Sequence, residues 1–290
     1  IGLDAARGLK ARGWRVFATC RQEGDCARLQ AEGLESFVLD YADESSIADA
    51  VTEVVSRTGG TLDALYNNGA FACPGAVEDL PRDAMRAIFE TNLVGYHDLT
   101  RRVIPLMRAQ GGGRIINCSS VLGLVALKWR GAYVATKFAM EGLTDVMRLE
   151  LTGTGIHCIL IEPGPITSMI RQKAIPHFEK WIDWNASAQR EKYIKFENRL
   201  YGPPSKDRFE LGPEAVTAKL QATLHHFDLI VGTEEEFHIA GGTTDTIKAL
   251  RAVRAVSKAT LVCKRGADGA VAFEGAIPDH LDDGLAGQGF

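Results

Sequence analysis

The residues best suited to chemistry lie in one stretch, Arg114 to Lys137. Tyr133 and Lys137 stand four apart at the head of a segment, Ala132 to Leu151, expected to be helical. That spacing sets both side chains on one helix face, one turn apart. A free tyrosine phenol ionises near pH 10, about three units above neutrality. A lysine ammonium one turn away favours the phenolate and lowers that value. A tyrosine tuned in this way can give a proton to a carbonyl oxygen, or take one from an alcohol, near neutral pH. Upstream, the apolar pair Ile115 and Ile116 leads to Ser119-Ser120, and a serine hydroxyl at the end of a strand can hold the same oxygen.

The elements that must position these groups alternate along the chain. The apolar, β-branched run before Ser119 suits a buried parallel strand. The pattern predicts helices over Gly2 to Arg12, after Arg21 as far as Ala31, over about Ser45 to Arg57, about Arg82 to Arg108 (with Asn92 inside it) and Ala132 to Leu151. Strands are expected over Trp14 to Cys20, Glu35 to Leu39, Leu62 to Tyr66, Arg114 to Cys118 and Ile156 to Ile161. Apolar strands in strict alternation with helices predict an α/β fold, a doubly wound and mostly parallel sheet covered by helices. In such sheets the ligand binds outside the carboxyl ends of the strands. Arg21, Asp40, Asn67-Asn68-Gly69, Ser119-Ser120 and Pro163-Gly164 all fall at those ends, and five such signals on one edge read as a ligand crevice.

Composition narrows the classes. The 290 residues are 46% apolar, enough for a sizeable core, and the net charge of -4 comes without any basic block, so nothing marks a nucleic-acid footprint. Six cysteines are widely spread with no C-x-x-C pair, which indicates neither a zinc site nor a disulfide framework. Free thiols in apolar runs fit a reducing cytoplasm. There is no signal-peptide pattern and no apolar run long enough to span a bilayer. The seven histidines lack metal-ligand spacing, and His225-His226 reads as a solvated helix end.

Asn67-Asn68-Gly69-Ala70, Asn92, Ser120, Tyr133-x-x-x-Lys137 and Pro163-Gly164, taken together, resemble the short-chain dehydrogenase/reductase family, in particular its steroid- and retinol-dehydrogenase-like members, over about residues 1 to 225. Ser120 precedes Tyr133 by 13 residues, the spacing typical of that family, which favours it over Ser119. The resemblance implies a Rossmann-like fold and hydride transfer between NADP(H) and a carbonyl/alcohol pair. It makes Tyr133 the general acid/base, Lys137 the residue that lowers its pKa and bonds the nicotinamide ribose, and Ser120 the group that orients the substrate oxygen. Asn92 would help to hold Lys137 through a water. Asp40 and Tyr41 would flank the adenine, Asn68 and Gly69 would line the cofactor near its ribose, and Pro163, Gly164, Ile166 and Ser168 would cover the nicotinamide. Cys20 and Arg21 close the strand where an acidic residue would bind the 2′-hydroxyl of NAD; a guanidinium suits a 2′-phosphate, so NADP is favoured with NAD as the alternative. The family's phosphate loop reads T-G-x-x-x-G-x-G after a first strand, and Ile1-Gly2 match only its last two positions. Gly2 is what this chain holds of that loop, which implies a truncated domain without its first strand and with weakened cofactor binding. The aromatic-rich segment Thr167 to Leu211, with Phe178, Trp181, Trp184, Tyr193, Phe196, Tyr201 and Phe209, either walls an apolar pocket for a hydrophobic substrate or packs as core or interface. Relatives form dimers or tetramers through their long helices, and the oligomeric state stays open between these and a monomer.

From about residue 226 the pattern changes. Phe227 to Phe290 resembles a piece of a ribokinase-like sugar kinase, most similar to 5-dehydro-2-deoxygluconokinase, with Glu236 matching the glutamate of an N-x-x-E motif and Thr233 in place of its asparagine. The glycine-rich anion hole and catalytic aspartate of that family have no counterpart, so no kinase activity is expected, and Glu234-Glu235-Glu236 reads as a solvated helix start. A junction near His225 to Phe227 would make the chain a fusion of two partial domains, with Asp228 to Val231 placed to supply the reductase sheet with a last strand.

Overall fold

The computed structural model describes residues 1–164, 169–202, 213–265 and 269–286. Ile166, Ser168 and Phe209, named above, lie outside the described residues. The chain divides into two compact units, Ile1–Pro203 and Pro204–Phe290.

In the first unit, strand and helix alternate as the sequence pattern requires: α1 (Gly2–Ala11), β1 (Phe17–Cys20), α2 (Glu23–Ala31), β2 (Glu35–Val38), α3 (Glu44–Thr58), β3 (Ala64–Asn67), α4 (Arg82–Phe89), α5 (Gly95–Ala109), β4 (Gly113–Cys118), α6 (Gly131–Glu150), β5 (Ile156–Ile161), α7 (Ile170–Trp181) and α8 (Arg190–Tyr201). All its strand pairs are parallel, in the orders β1-β2 and β3-β4-β5. The doubly wound parallel sheet is therefore present in two parts, which divide between β1 and β3, the place that the first strand takes in the doubly wound order. Ala6, Leu29 and Leu34 of the flanking helices and turn pack on Val16, Ala18 and Cys20 of the first part. Ile47 from α3 and Leu99, Val103 and Met107 from α5 pack with Ile115, Ile156 and Cys158 of the second part. Local signals set the ends of these helices. Asp43 caps α3, its carboxylate accepting from the Ser45 amide at 2.9 Å, and Gly59 closes the helix in the left-handed conformation that glycine tolerates.

The single helix expected over residues 82 to 108 is two helices joined by a π-helical turn, Glu90–Val94, with Asn92 in it. The widened turn ends at Gly95, where a Cβ would lie 2.2 Å from the Tyr41 carbonyl oxygen, so a close backbone approach is built at the point where the helix changes its winding.

The second unit contains α9 (Pro213–Gln221), β6 (Leu229–Thr233), α10 (Glu234–Gly241), α11 (Thr246–Val256), β7 (Thr260–Lys264), β8 (Ala270–Phe273) and β9 (Leu285–Ala286). Its sheet runs β6-β7-β8-β9, parallel in the first pair and antiparallel in the others. Phe237, Leu250, Val253, Leu261, Cys263 and Phe273 form a core of its own. One expectation is corrected here. β6 pairs with β7, Leu229 opposite Thr260 through Thr233 opposite Lys264, so Asp228 to Val231 does not serve as a last strand for the first unit's sheet. The units divide at Pro203, some way before the junction expected near residue 225. The physical reason lies in α9: Thr217 and Gln221 donate to the Ile239 and Ala240 carbonyls of α10, and Leu224 is buried in the second core.

Candidate active site

The carboxyl end of β4 and the first turns of α6 bring the chemical groups together. Lys137 is 1% exposed, and its Nζ donates to the Cys118 carbonyl at 2.7 Å, which ties the helix to the last residue of the strand. The same Nζ lies 5.5 Å from the Tyr133 ring centroid and 5.6 Å from that of Tyr96. Tyr133 is 8% exposed, and the Ser120 hydroxyl stands near enough to its phenol to draw the phenol's pKa down. Ser120 also accepts from the Leu122 amide at 3.1 Å, which fixes its hydroxyl in the short 3₁₀ turn Val121–Gly123. The neighbouring Ser119 is turned away: its hydroxyl is buried and donates to Glu141. Of the two serines, the geometry brings Ser120 to Tyr133.

The electrostatic balance differs from the one expected from spacing. Burial, the largest influence, pushes the Tyr133 phenol above its usual value, and the Ser120 hydrogen bond pulls it part of the way back. Burial also brings Lys137 down from 10.5 to about 8, against the opposing pull of Cys118 and Glu141. The expected depression of the Tyr133 pKa by Lys137 is thus not the net result in this chain by itself. Both groups are desolvated, and desolvation favours the neutral form of each.

Asn92 sits in the π-helical turn with its amide fully engaged. It donates to the Phe71 carbonyl at 2.9 Å and accepts from the Phe71 amide at 3.1 Å, and it reaches Thr136 Oγ1 of α6 at 3.4 Å. It therefore clamps the segment after β3 and links it to the helix that carries Tyr133. Phe71, Ala72, Ile88, Ala132 and Tyr133 share one apolar cluster.

The residues expected to hold a cofactor fall along the same edge, with different occupations. Gly2 opens α1 against Asn68: a Cβ on it would meet Asn68 Nδ2 at 2.5 Å. Arg21 is exposed just beyond β1, and its guanidinium makes no hydrogen bond or ion pair among the described residues. Asp40 accepts from the Ala42 amide at 3.0 Å in the turn after β2. Tyr41 is drawn inward: its hydroxyl donates to Asn67 Oδ1 at 3.0 Å, and its ring packs on Tyr96 with centroids 4.7 Å apart. Its side chain is thereby engaged with Asn67 and Tyr96. Gly69 serves this packing, since a Cβ there would stand 2.9 Å from the Tyr41 ring. The Pro163 carbonyl accepts from the Val121 amide at 3.1 Å, which joins the loop after β5 to the turn after Ser120, and Gly164 next to it is exposed.

Several groups at the site go beyond those singled out in the sequence. Asn67 and Asn117 lie in register on β3 and β4 and are hydrogen-bonded at 2.9 Å; Asn67 extends to Thr100 of α5 at 3.1 Å and Asn117 to Thr144 of α6 at 3.0 Å. This buried ladder ties the strand ends to both helices. Glu141 stands one turn beyond Lys137, a position that the four-residue spacing of Tyr133 and Lys137 already points to. Trp129, two residues before α6, has φ 66°, and its ring packs against Tyr193 and Phe196 of α8 at 4.6 and 5.4 Å. Its carbonyl accepts from the Gly75 amide at 3.2 Å, so α8 and the Gly75 segment together hold a conformation that a tryptophan adopts only under constraint. Among the described residues, no group of three His, Cys, Asp or Glu side chains could hold a metal ion, and no helix is long and apolar enough to cross a membrane.

Known proteins match the chain in both sequence and fold. The family model described as short chain dehydrogenase matches residues 1–178. The uncharacterized oxidoreductase YbbO of Escherichia coli K12 is 36% identical over 221 residues, covering 76% of this chain and 76% of YbbO. Human 17-beta-hydroxysteroid dehydrogenase type 1 is 32% identical over 195 residues, covering 63% of this chain and 58% of that enzyme. A gluconate 5-dehydrogenase from Burkholderia cenocepacia J2315, solved in complex with NADP and tartrate, superposes with a TM-score of 0.54 at 28% identity, covering 62% of this chain and 73% of its own. A parallel α/β fold with the Ser120, Tyr133 and Lys137 constellation at its strand ends, matched over more than half of its length by the family model, belongs to the short chain dehydrogenase family, whose members are NAD(P)-dependent oxidoreductases.

Proposed function

We propose that the chain transfers hydride between NADP(H) and a carbonyl/alcohol pair on an apolar substrate, with Tyr133 exchanging the proton. The observation that carries this reading is the meeting of Ser120, Tyr133 and Lys137 at the carboxyl end of β4. The residues along the edge fit a phosphorylated dinucleotide: the amino end of α1 at Gly2 carries no side-chain cap, and the Arg21 guanidinium, unpaired among the described residues, suits a 2′-phosphate. The cofactor supplies the hydride when bound. The protein's own part is acid/base and positioning work. Ser120 holds the substrate oxygen, Tyr133 donates a proton to that oxygen in reduction or removes it in oxidation, and Lys137 sets the charge beside the phenol. Pro163 and Gly164 stand at the same edge, with Asp40 and Asn68 at the far end of the cofactor's path.

The support for an apolar substrate has moved from where the sequence placed it. Phe178, Tyr193 and Phe196 are buried against one another and act as core. A group of exposed apolar residues, Val121, Leu124, Val125 and Leu127, lies instead between Ser120 and Tyr133. A rim of that composition favours an aliphatic or aromatic aldehyde or ketone over a sugar. Homo-oligomer formation belongs to the same proposal: Phe138, Val146 and Leu149 leave an apolar face of α6 exposed. The reading is tested by following NADPH and NADH oxidation with decanal and benzaldehyde as probes. NADPH is expected to be preferred, and Arg21→Asp to shift that preference toward NADH by about tenfold or more. A wild-type preference for NADH, or a variant with unchanged preference, would remove the basis for NADP.

Phosphotransfer by the second unit is the alternative, resting on the match of Glu236 to a kinase motif. That carboxylate accepts from the Thr233 amide at 2.7 Å, while the Thr233 hydroxyl accepts from the Glu236 amide at 3.2 Å. The pair is the capping box of α10, which accounts for Glu236 structurally and favours the reductase reading.

A further inference from the structure

The end of β4 is tied to α6 at two consecutive residues. Lys137 holds the Cys118 carbonyl at 2.7 Å, and Ser119, next in the chain, donates its buried hydroxyl to Glu141, one turn further along the same helix. The backbone amide of Ser119 is fixed as well, donating to the Ile161 carbonyl of β5 at 2.8 Å. Gly123 closes over the second tie: a Cβ there would stand 2.7 Å from both Glu141 Oε1 and Ser119 Oγ, so only glycine lets the turn after Ser120 lie this close. Ser120 follows directly and is presented to Tyr133, one turn before Lys137 on α6. Tyr133, Lys137 and Glu141 thus form one row at four-residue spacing, facing Ser120, Cys118 and Ser119 in that order.

We propose that Glu141 is a positioning residue of this site, which holds Ser120 against Tyr133 through Ser119 and provides the carboxylate that faces the Lys137 ammonium along α6. The proposal rests on the reading of Ser120, Tyr133 and Lys137 given above and adds a member to it. Around the Lys137 ammonium stand the Tyr133 phenol on α6 and the Tyr96 phenol on α5, whose ionisation burial pushes above its usual value in each, and Cys118 on β4. A buried ammonium is costly, and a carboxylate one turn away offsets part of that cost.

The test uses the full chain and does not require a known substrate. Lysine 15Nζ resonances are followed with pH, that of Lys137 being assigned by its loss in Lys137→Arg. Glu141→Gln keeps an acceptor for Ser119 and removes the charge. In that variant the Lys137 midpoint, about 8 in the parent chain, is expected to fall by about one pH unit. Turnover of NADPH with decanal is expected to fall about tenfold in kcat, with KM for NADPH held within about twofold. Ser119→Ala cuts the tie and leaves the carboxylate, so it is expected to lower kcat while leaving the Lys137 midpoint in place; it also serves if Glu141→Gln does not fold. A folded Glu141→Gln protein with either the Lys137 midpoint or kcat unchanged overturns the proposal, and so does a Ser119→Ala protein with unchanged kcat. A purely structural role would lower thermal stability and leave the midpoint where it was. Tyr133→Phe separates the two readings: if it keeps its turnover, the assignment of the site fails, and the Lys137 titration still decides whether Glu141 faces it.

Discussion

At the scale of single residues, the chemistry turns on how far burial has displaced Tyr133 and Lys137. The spacing of the pair was legible in the sequence, because one helical turn follows from their numbers alone. The balance between charge and desolvation was not, because it depends on burial and on Cys118 and Ser120, which reach the pair through tertiary packing. The displacement has a consequence for stability. Lys137 loses its proton near pH 8 in the folded chain and near 10.5 when unfolded, so between those values the unfolded state binds more protons. Stability must then rise with pH through this window, the burial of the charged form being fully unfavourable below it. Urea unfolding of the parent chain and of Lys137→Met at a series of pH values should show the parent gaining on the variant from about pH 8 upward. Parallel curves would mean that Lys137 keeps an ordinary pKa. Ser119 and Ser120 show what spacing could decide: thirteen residues before Tyr133 selected Ser120, and the structure accounts for Ser119 by its bond to Glu141.

At the scale of elements, the sequence placed β4, β5 and α6 within a residue or two, since apolar runs and helical periodicity both end at clear punctuation. It missed the break in the helix over residues 82 to 108, because a π-helical turn changes the winding without changing the polarity pattern. It also missed the Asn67–Asn117 ladder, because only strand register sets the two amides side by side. That ladder joins β3, β4, α5 and α6 in the interior, so truncating its centre leaves several polar groups unpaired. Asn67→Ala is expected to cost about 2–3 kcal/mol in chemical denaturation, with the same replacement at exposed Asn198 serving as a control of small effect. A loss below about 0.5 kcal/mol would show that water replaces the ladder readily.

At the scale of the whole molecule, the fold class followed from strict alternation of strand and helix, while the place of α9 in the second unit did not. The helix α9 reads from sequence as the natural continuation of the first unit, and only its hydrogen bonds to α10 assign it to the second. The parallel sheet of the first unit and the family match make the chain a short chain dehydrogenase, and the gathering of Ser120, Tyr133 and Lys137 supports the proposal that Tyr133 moves the proton. The most direct test is turnover of NADPH by Tyr133→Phe, measured beside its unfolding transition. The account predicts a loss of about 10²-fold or more in kcat with the fold and its stability kept, because the phenyl ring fills the same space and only the transferable proton is gone. A folded Tyr133→Phe protein that turns over NADPH at the parent rate would contradict it.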